Sequence, residues 1–285
     1  MSGIRVVFLG TGGSAGSPQI GGADGSGDWG ELDPAEPRNR RTRPSIVIES
    51  PRGGRLLVDT GPDLRQQLLS CKIQRIDAIL YTHAHADHIA GLDEVRILNR
   101  LLDAPMPAYA TAESWAELRG RFEYAFRPWT GPQFFRPVFA PHVIQPGDLL
   151  DIGGLGLRVI GQDHGSRPSL GLRIAGFAYC TDVVRLEDAA LGLLEGLDVF
   201  TVDCFTRHDP HPTHANLEQV LRWVERLRPK RTILTHMGPS MDYGWLKANL
   251  PAGVEPAFDG MELRMASAAA RNGGFPKKQP RRNRV

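Results

Sequence analysis

The sequence is poor in cysteine. It has three in 285 residues, Cys71, Cys180 and Cys204, far apart and with no C-x-x-C pair. That excludes a disulfide framework and a cysteine-based zinc site, and it points to a reducing compartment, read here as the cytoplasm. Long apolar runs are lacking too. None approaches the ~20 residues of a membrane-spanning helix, and the only apolar stretch near the start, residues 4–9, is too short for a secretion signal. Net charge is small, +2, and its basic excess sits in the last 15 residues, where Arg271, Lys277, Lys278, Arg281, Arg282 and Arg284 meet no acid. Without them the body is acidic, which speaks against a nucleic-acid surface. Residues 1–268 read as one domain. Residues 269–285, rich in Pro, Gly and Asn and without periodicity, read as a basic disordered tail. No internal repeat is present.

What remains is an ordinary globular composition, 41% hydrophobic and 23% charged. Short β-type runs cover residues 4–9, 45–49, 55–59, 78–82, 157–161, 169–174, 177–181, 199–202, 231–235 and 262–265. Helical spacing predicts helices over 64–71, 91–102 and 217–227, the last with Thr213 as its N-cap. Residues 21–44 read as a long loop, and 115–141 as a helix followed by an irregular aromatic arm. Strands come first as neighbours and then mixed with helices, twice over. This predicts an α/β (α+β) chain of two mixed sheets packed together with helices outside, four layers in one domain.

Residues 81–95 read YTHAHADHIAGLDEV, with His83, His85, Asp87 and His88 inside six residues directly after an apolar run. Histidine and carboxylate are ligands for zinc, and also for manganese or iron. At a strand end alternate side chains can face the same way, so His83 and His85 form one pair and Asp87 and His88 another. One loop thus offers donors to two adjacent ions but completes neither, since each takes about four ligands. Further donors stand ready in His164 after RVIGQD, Asp182 after FAYCT and His236 after RTILT. Each follows a β-type run, where loops gather at one rim of a sheet, and a carboxylate such as Asp182 can bridge two ions. A lone histidine after a strand is more often a plain loop residue. H-x-H-x-D-H with three more donors at strand ends outweighs that reading.

This set resembles the metallo-β-lactamase superfamily. Within it, GTGGSAGSP, PRNRRTRPS, LLVDTGPDLRQQL, the Asp-Cys-Phe run at Asp203 and PTHANL resemble the phosphoribosyl cyclic phosphodiesterase (PhnP) branch, over roughly residues 4–265. The resemblance implies an αββα sandwich with two divalent ions, zinc or manganese, with iron as a further candidate. His83, His85 and His164 would hold one, Asp87, His88 and His236 the other, and Asp182 would bridge. Asp59, in VDTG, matches the family's buried aspartate that supports the metal-binding loop and orients ligand histidines; alone it would read as a strand-end cap. His214, in HDPHPTHANLEQV, matches a histidine that acts as general acid, and it is placed with Asp87 among the catalytic residues. Members of this branch often carry a cysteine cluster with a structural zinc in the loop after GTG…SP. Here that loop has no cysteine, so it is expected to lack that zinc and to be held otherwise. Resembling proteins are commonly dimers, which makes a homodimer an expectation.

Arg40, Arg41 and Arg43 are the one compact basic cluster of the body. Arg41 and Arg43 are candidates to hold a terminal phosphate by forked hydrogen bonds, against the plain alternative of solvated loop arginines. Trp129, Phe134 and Phe135 could flank a base or sugar, although packing is the usual fate of aromatics. Cys180 reads as a buried structural thiol. Two ions can hold a hydroxide at neutral pH and stabilise phosphoryl oxygens. The expected activity is therefore hydrolysis of a small cyclic phosphate or nucleotide-like phosphodiester by metal-bound hydroxide, with a small phosphorylated substrate rather than nucleic acid or membrane as partner. Three readings compete. A tRNase Z-like nuclease is opposed by the acidic body. A thioesterase or lactonase would use the same ligands and needs the acid less. A non-catalytic metal-binding protein would leave a full donor set with an acid beside it unused.

Overall fold

Strand β1 (Gly3–Gly10) is apolar on both sides and both sides are buried: Ile4, Val6 and Phe8 enter one core cluster, Val7 and Leu9 another. A strand buried on both faces needs a covering layer on each, and the rest of the chain builds them. In this computed structural model, which describes residues 3–128, 131 and 137–266, the first sheet continues through β2 (Ser45–Glu49), β3 (Arg55–Val58), β4 (Ala78–Leu80), β5 (Met106–Ala110) and β6 (Phe139–Val143). The second contains β7 (Leu149–Ile152), β8 (Leu155–Asp163), β9 (Pro168–Ile174), β10 (Phe177–Cys180), β11 (Val199–Asp203), β12 (Arg231–Thr235) and β13 (Val254–Pro256). Strand β14 (Glu262–Ala266) returns to the first sheet, giving seven strands in each, ordered β14-β1-β2-β3-β4-β5-β6 and β13-β12-β11-β10-β9-β8-β7. The basic tail, Trp129, Phe134 and Phe135 lie outside the described residues.

Helices cover the outer faces. α1 (Leu64–Ser70), α2 (Ala86–Ile89), α3 (Val95–Leu102) and α4 (Ala112–Arg121) lie along the first half of the chain, and α1, α3 and α4 bury Leu64, Leu68, Val95, Leu98, Trp115 and Leu118 against the first sheet's outer cluster. α5 (Asp188–Leu193), α6 (Leu217–Leu227) and α7 (Tyr243–Asn249) bury Leu191, Val220, Trp223, Leu227 and Leu246 with the second sheet. Between the sheets, Ile46, Ile48, Leu56 and Val58 share a cluster with Val159, Leu172 and Phe177. This is the expected αββα sandwich. Among the described residues no helix is long and apolar enough to cross a membrane.

Two local expectations are corrected. The helix expected over 91–102 is a 3₁₀ turn at Leu92–Glu94 followed by α3, and it is separated from the preceding α2. The reason is Gly91: its N–H donates to Thr60 O at 2.8 Å, and a Cβ there would lie 2.0 Å from Gly61 O. Two backbones meet at that point, so the chain cannot coil freely through it. The N-cap of α6 is Asn216, whose side chain accepts from Gln219 N at 2.9 Å, not Thr213. Thr213 lies three residues too early, and its carbonyl is used elsewhere.

The direction of the strands decides where the site forms. β3 to β6 are mutually parallel, and β1 runs with β3 because both are antiparallel to β2. β10 to β13 are likewise parallel, and β8 runs with β10 through β9. In each sheet, therefore, the ends after which the polar motifs stand lie on one rim.

The cysteine-free 21–44 loop is held by polar contacts. Asp242 Oδ2 accepts from Asn39 Nδ2 at 2.7 Å and Asp33 N at 3.1 Å, Glu31 N donates to Pro239 O at 2.9 Å, and the Glu31 carboxylate pairs with Arg207. Asp259 ties the loop's end to the GTGG turn: it accepts from Thr11 Oγ1 at 2.8 Å and from Thr42 N and Oγ1, both at 2.7 Å. Burial raises its pKa from 3.8 to about 6, against these hydrogen bonds. A raised carboxyl contributes stability that is complete below the unfolded value and lost as pH climbs through the folded one. Thermal unfolding of wild type and Asp259→Asn should show this. The melting temperature of the wild type should fall relative to the variant between pH 3.8 and about 6 and run level above; a constant difference across that window would contradict the assignment.

Candidate metal centre

Each site side chain stands where a buried strand stops. Asp59 follows β3, the HAHADH segment follows β4, His164 follows β8, Asp182 follows β10, Asp203 ends β11 and His236 follows β12. Asp59, Asp182 and His236 have left-handed backbone, φ 66°, 53° and 54°. That conformation is costly for residues other than glycine and persists where surrounding structure enforces it. It turns each chain sharply off its strand and aims the side chain across the rim.

Four overlapping donor groups result among the described residues, two of them taking in His214, and the other two hold the seven expected ligands. His83, His85 and His164 form one; Asp87, His88, Asp182 and His236 form the other, and the donor atoms within each group lie within 4.8 Å of one another. In the first, His85 Nδ1 is 2.9 Å from His83 Nε2 and 3.2 Å from His164 Nε2. Two ligands of one tetrahedral ion with bonds of about 2.0–2.1 Å sit roughly 3.3 Å apart, so the spacing suits a common centre. Asp182 lies between the groups. Its Oδ1 is 3.8, 3.7 and 3.3 Å from Nε2 of His83, His164 and His236, and its Oδ2 is 3.2 Å from His88 Nε2.

Second contacts set which nitrogen faces inward. His83 Nδ1 donates to Thr82 Oγ1 (3.0 Å), His88 Nδ1 to Asp59 Oδ2 (2.7 Å) and His164 Nδ1 to Thr213 O (2.7 Å). Each bond leaves Nε2 with its lone pair toward the centre. Asp59 also accepts from Thr82 N at 2.8 Å and Thr82 Oγ1 at 2.7 Å, so this one carboxylate joins the start of the loop to His88. Below it, Tyr81 is boxed edge-on by Trp115 and Phe139, with ring centroids at 6.2 and 6.1 Å. These aromatics of the 115–141 segment are core.

The charge pattern calls for a cation. Burial alone would favour neutral forms throughout, and it does hold His83 well below the usual imidazole range and lowers His85 and His164. Burial also opposes ionisation of Asp182 and Asp87, but His236 and His88 around Asp182, and His88 and His236 around Asp87, outweigh it and keep both carboxyls far below their ordinary value. Conversely, Asp182, Asp87 and Asp59 overcome burial at His88 and raise it well above 6.5, and Asp182 leads the groups that raise His236 to about 9. Yet the Nε2 atoms of His88 and His236 are buried and make no properly directed hydrogen bond among the described residues. Buried acids that need positive charge, facing imidazole nitrogens aimed at a shared centre, are a donor set that metal binding satisfies with release of protons.

His214 is buried beside both groups. Its Nδ1 donates to Asp203 Oδ2 at 2.7 Å, and its ring lies 4.8 Å from His164 and 4.5 Å from His236. Phe205 stacks on the His214 ring at 5.0 Å and also lies 6.2 Å from the His236 ring. Sequence reasoning noticed the Asp203-Cys204-Phe205 run but assigned it no role. The available signal was that Asp203 ends a buried strand as the other site residues do.

The arginines separate. Arg41 is 2% exposed, donates to Met241 O at 2.7 Å and Asn39 Oδ1 at 3.2 Å, and burial lowers its pKa to about 10. Both bonds come from Nη2, while Nε and Nη1 are buried without a partner among the described residues, and this burial speaks against the expected phosphate-binding role. Arg43 stays at the rim, 3.3 Å from Asp63, with its Nη1 against the Gly16 turn. Cys180 and Cys204 are buried free thiols, and burial pushes both pKa values far up.

Fold and site together define a metallohydrolase of the αββα class with a His/Asp metal-binding cluster. Residues 54–237 match the Beta-lactamase superfamily domain. The crystal structure of a diphosphatase of the PhnP family is 34% identical with a TM-score of 0.81, covering 92% of this chain and 97% of that one. The Zn²⁺-bound PqqB of Methylobacterium extorquens is 18% identical at TM-score 0.71, covering 91% and 99%, and shares the fold. Octanoyltransferase of Porphyromonas gingivalis is 28% identical over 264 residues, 91% of this chain but 51% of its own, so the chain spans about half of that relative. The chain belongs to the metallo-β-lactamase superfamily, in its PhnP-like branch.

Proposed function

We propose that the chain is a dinuclear metal-dependent phosphodiesterase acting on a small cyclic phosphate or nucleotide-like diester. His83, His85 and His164 would hold one divalent ion, zinc, manganese or iron, and Asp87, His88 and His236 the other, with Asp182 shared. Such ions supply Lewis acidity toward a phosphoryl oxygen and a water made acidic enough to attack at neutral pH. The residues do the rest. Asp59 and Thr213 O hold His88 and His164 in orientation, Arg43 would meet a non-reacting phosphate, and His214 gives a proton to the departing alkoxide. The homodimer and the cytoplasm belong to the same proposal.

The observation that carries this reading is the His214–Asp203 pair. With Nδ1–H donating to the carboxylate, the proton to be given sits on Nε2 of the imidazolium, the form that a carboxylate partner stabilises, and the imidazole lies against both ligand groups. An alkoxide leaving group needs that proton, whereas a thiolate needs it much less. The PhnP-family diphosphatase, at 34% identity, supports phosphorus over carbon.

Metal content and activity measured on one preparation test it. Purified without chelator, the chain should hold about two ions, in line with a two-metal site. It should cleave bis(p-nitrophenyl) phosphate and a ribose cyclic phosphate, and EDTA should abolish both activities. Thioester cleavage with neither phosphate cleaved would overturn the chemistry; a metal-free chain after growth in supplemented medium would overturn the site.

A further inference from the structure

The His83/His85/His164 group straddles the sandwich: two ligands come from the loop after β4 in the first sheet, the third from the end of β8 in the second. One backbone bond, Leu170 N to Thr82 O at 3.0 Å, ties the sheets close by. His85 is the loosest member. It is half-buried, its Nδ1 faces the group, and no hydrogen bond from outside the group orients its ring among the described residues. Its direction rests on the backbone of 84–85.

That backbone is gripped from α4. Arg121 Nη1 donates to Ala84 O at 2.5 Å, and its Nη2 donates to Glu117 Oε2 at 2.6 Å. The other oxygen of Glu117 accepts from Arg167 Nη1 at 2.5 Å, and the Arg167 carbonyl accepts from His164 N at 3.2 Å. A glutamate–arginine pair four apart on a helix contributes little by itself. Here both arginines have a second attachment, one on each ligand loop. The chain Ala84–Arg121–Glu117–Arg167–His164 closes a loop across the gap between the sheets. The other donor group has no part in it: Asp87, His88, Asp182 and His236 are buried, with His88 on Asp59 and Asp182 accepting from Thr181 Oγ1 at 2.6 Å.

We infer that Glu117, with Arg121 and Arg167, is a positioning device for the His83/His85/His164 ion alone. This rests on the proposed two-metal reading. Removing a direct partner of a metal ligand weakens binding about 10- to 100-fold, and Glu117, which acts one contact further out through two part-exposed arginines, belongs at the lower end.

Zinc affinity by chelator competition, with ions counted per chain, tests it. In Glu117→Ala one of two ions should bind about tenfold more weakly and the other as in wild type. Arg167→Ala, which cuts only the link to the second sheet, should do the same. Added to His236→Ala, Glu117→Ala should again weaken the remaining ion about tenfold; added to His85→Ala it should change nothing, because residues serving one site are not additive. Unchanged affinities, or equal losses at both ions, would overturn the inference while leaving the proposed function standing. A wild type that holds no zinc, manganese or iron would overturn both.

Discussion

Asp182→Ala is expected to empty the centre and to lower phosphodiester hydrolysis by on the order of 10³-fold or more. The magnitude follows from charge stabilisation by bound metal worth several kcal/mol, at one decade per 1.36 kcal/mol. Asp182 lies between the two donor groups, with three imidazoles within 3.8 Å of Oδ1 and one within 3.2 Å of Oδ2. Removing it takes away a donor from each ion and leaves His88 and His236 without their principal buried counter-charge. Metal analysis should therefore fall together with turnover. The sandwich should stay folded, because Asp182 sits at the rim and the inter-sheet cluster does not include it. Retention of both ions and of activity by a folded Asp182→Ala chain would show that the bridge is not where the geometry puts it.

His214→Ala is expected to separate two kinds of substrate. With an unactivated alkoxide leaving group, loss of a positioned acid should lower kcat about 10²- to 10⁴-fold. With p-nitrophenolate, which departs without a proton, the loss should be a few-fold at most. Metal content should be unchanged, since His214 serves neither ion in the proposal. Asp203→Asn is the companion variant. It should weaken the Nδ1 contact, 2.7 Å in the wild type, and reproduce the same selectivity to a smaller degree. Equal loss on both substrates in His214→Ala would mean that the residue shapes the pocket and delivers no proton.

Much of this centre was legible in the chain. His83, His85, Asp87, His88, His164, Asp182 and His236 each follow a run of apolar, β-type residues, and the structure brings all seven to one rim. Other parts were not. Arg41 and Arg43 are near neighbours in a basic stretch, yet one is locked under Met241 and the other faces Asp63 at the rim. The role of Asp203 emerges only when His214, eleven positions on, folds back against it. Glu117 joins Arg121, which bonds a residue 37 positions before it, to Arg167, 50 positions after Glu117, a span over which no spacing rule operates.

What the sequence determined by itself is the layering and the donor set. Strands apolar on both faces must be covered on both, and donors placed just after such strands must gather where parallel strands end. What only the tertiary structure decided is the pairing: which nitrogen each histidine turns inward, which arginine is buried, and which residues tie one sheet's loops to the other's. The reason is range. Alternation and strand length act between close neighbours, while a hydrogen bond between two loops depends on how the sheets pack, and that is set by the whole core at once.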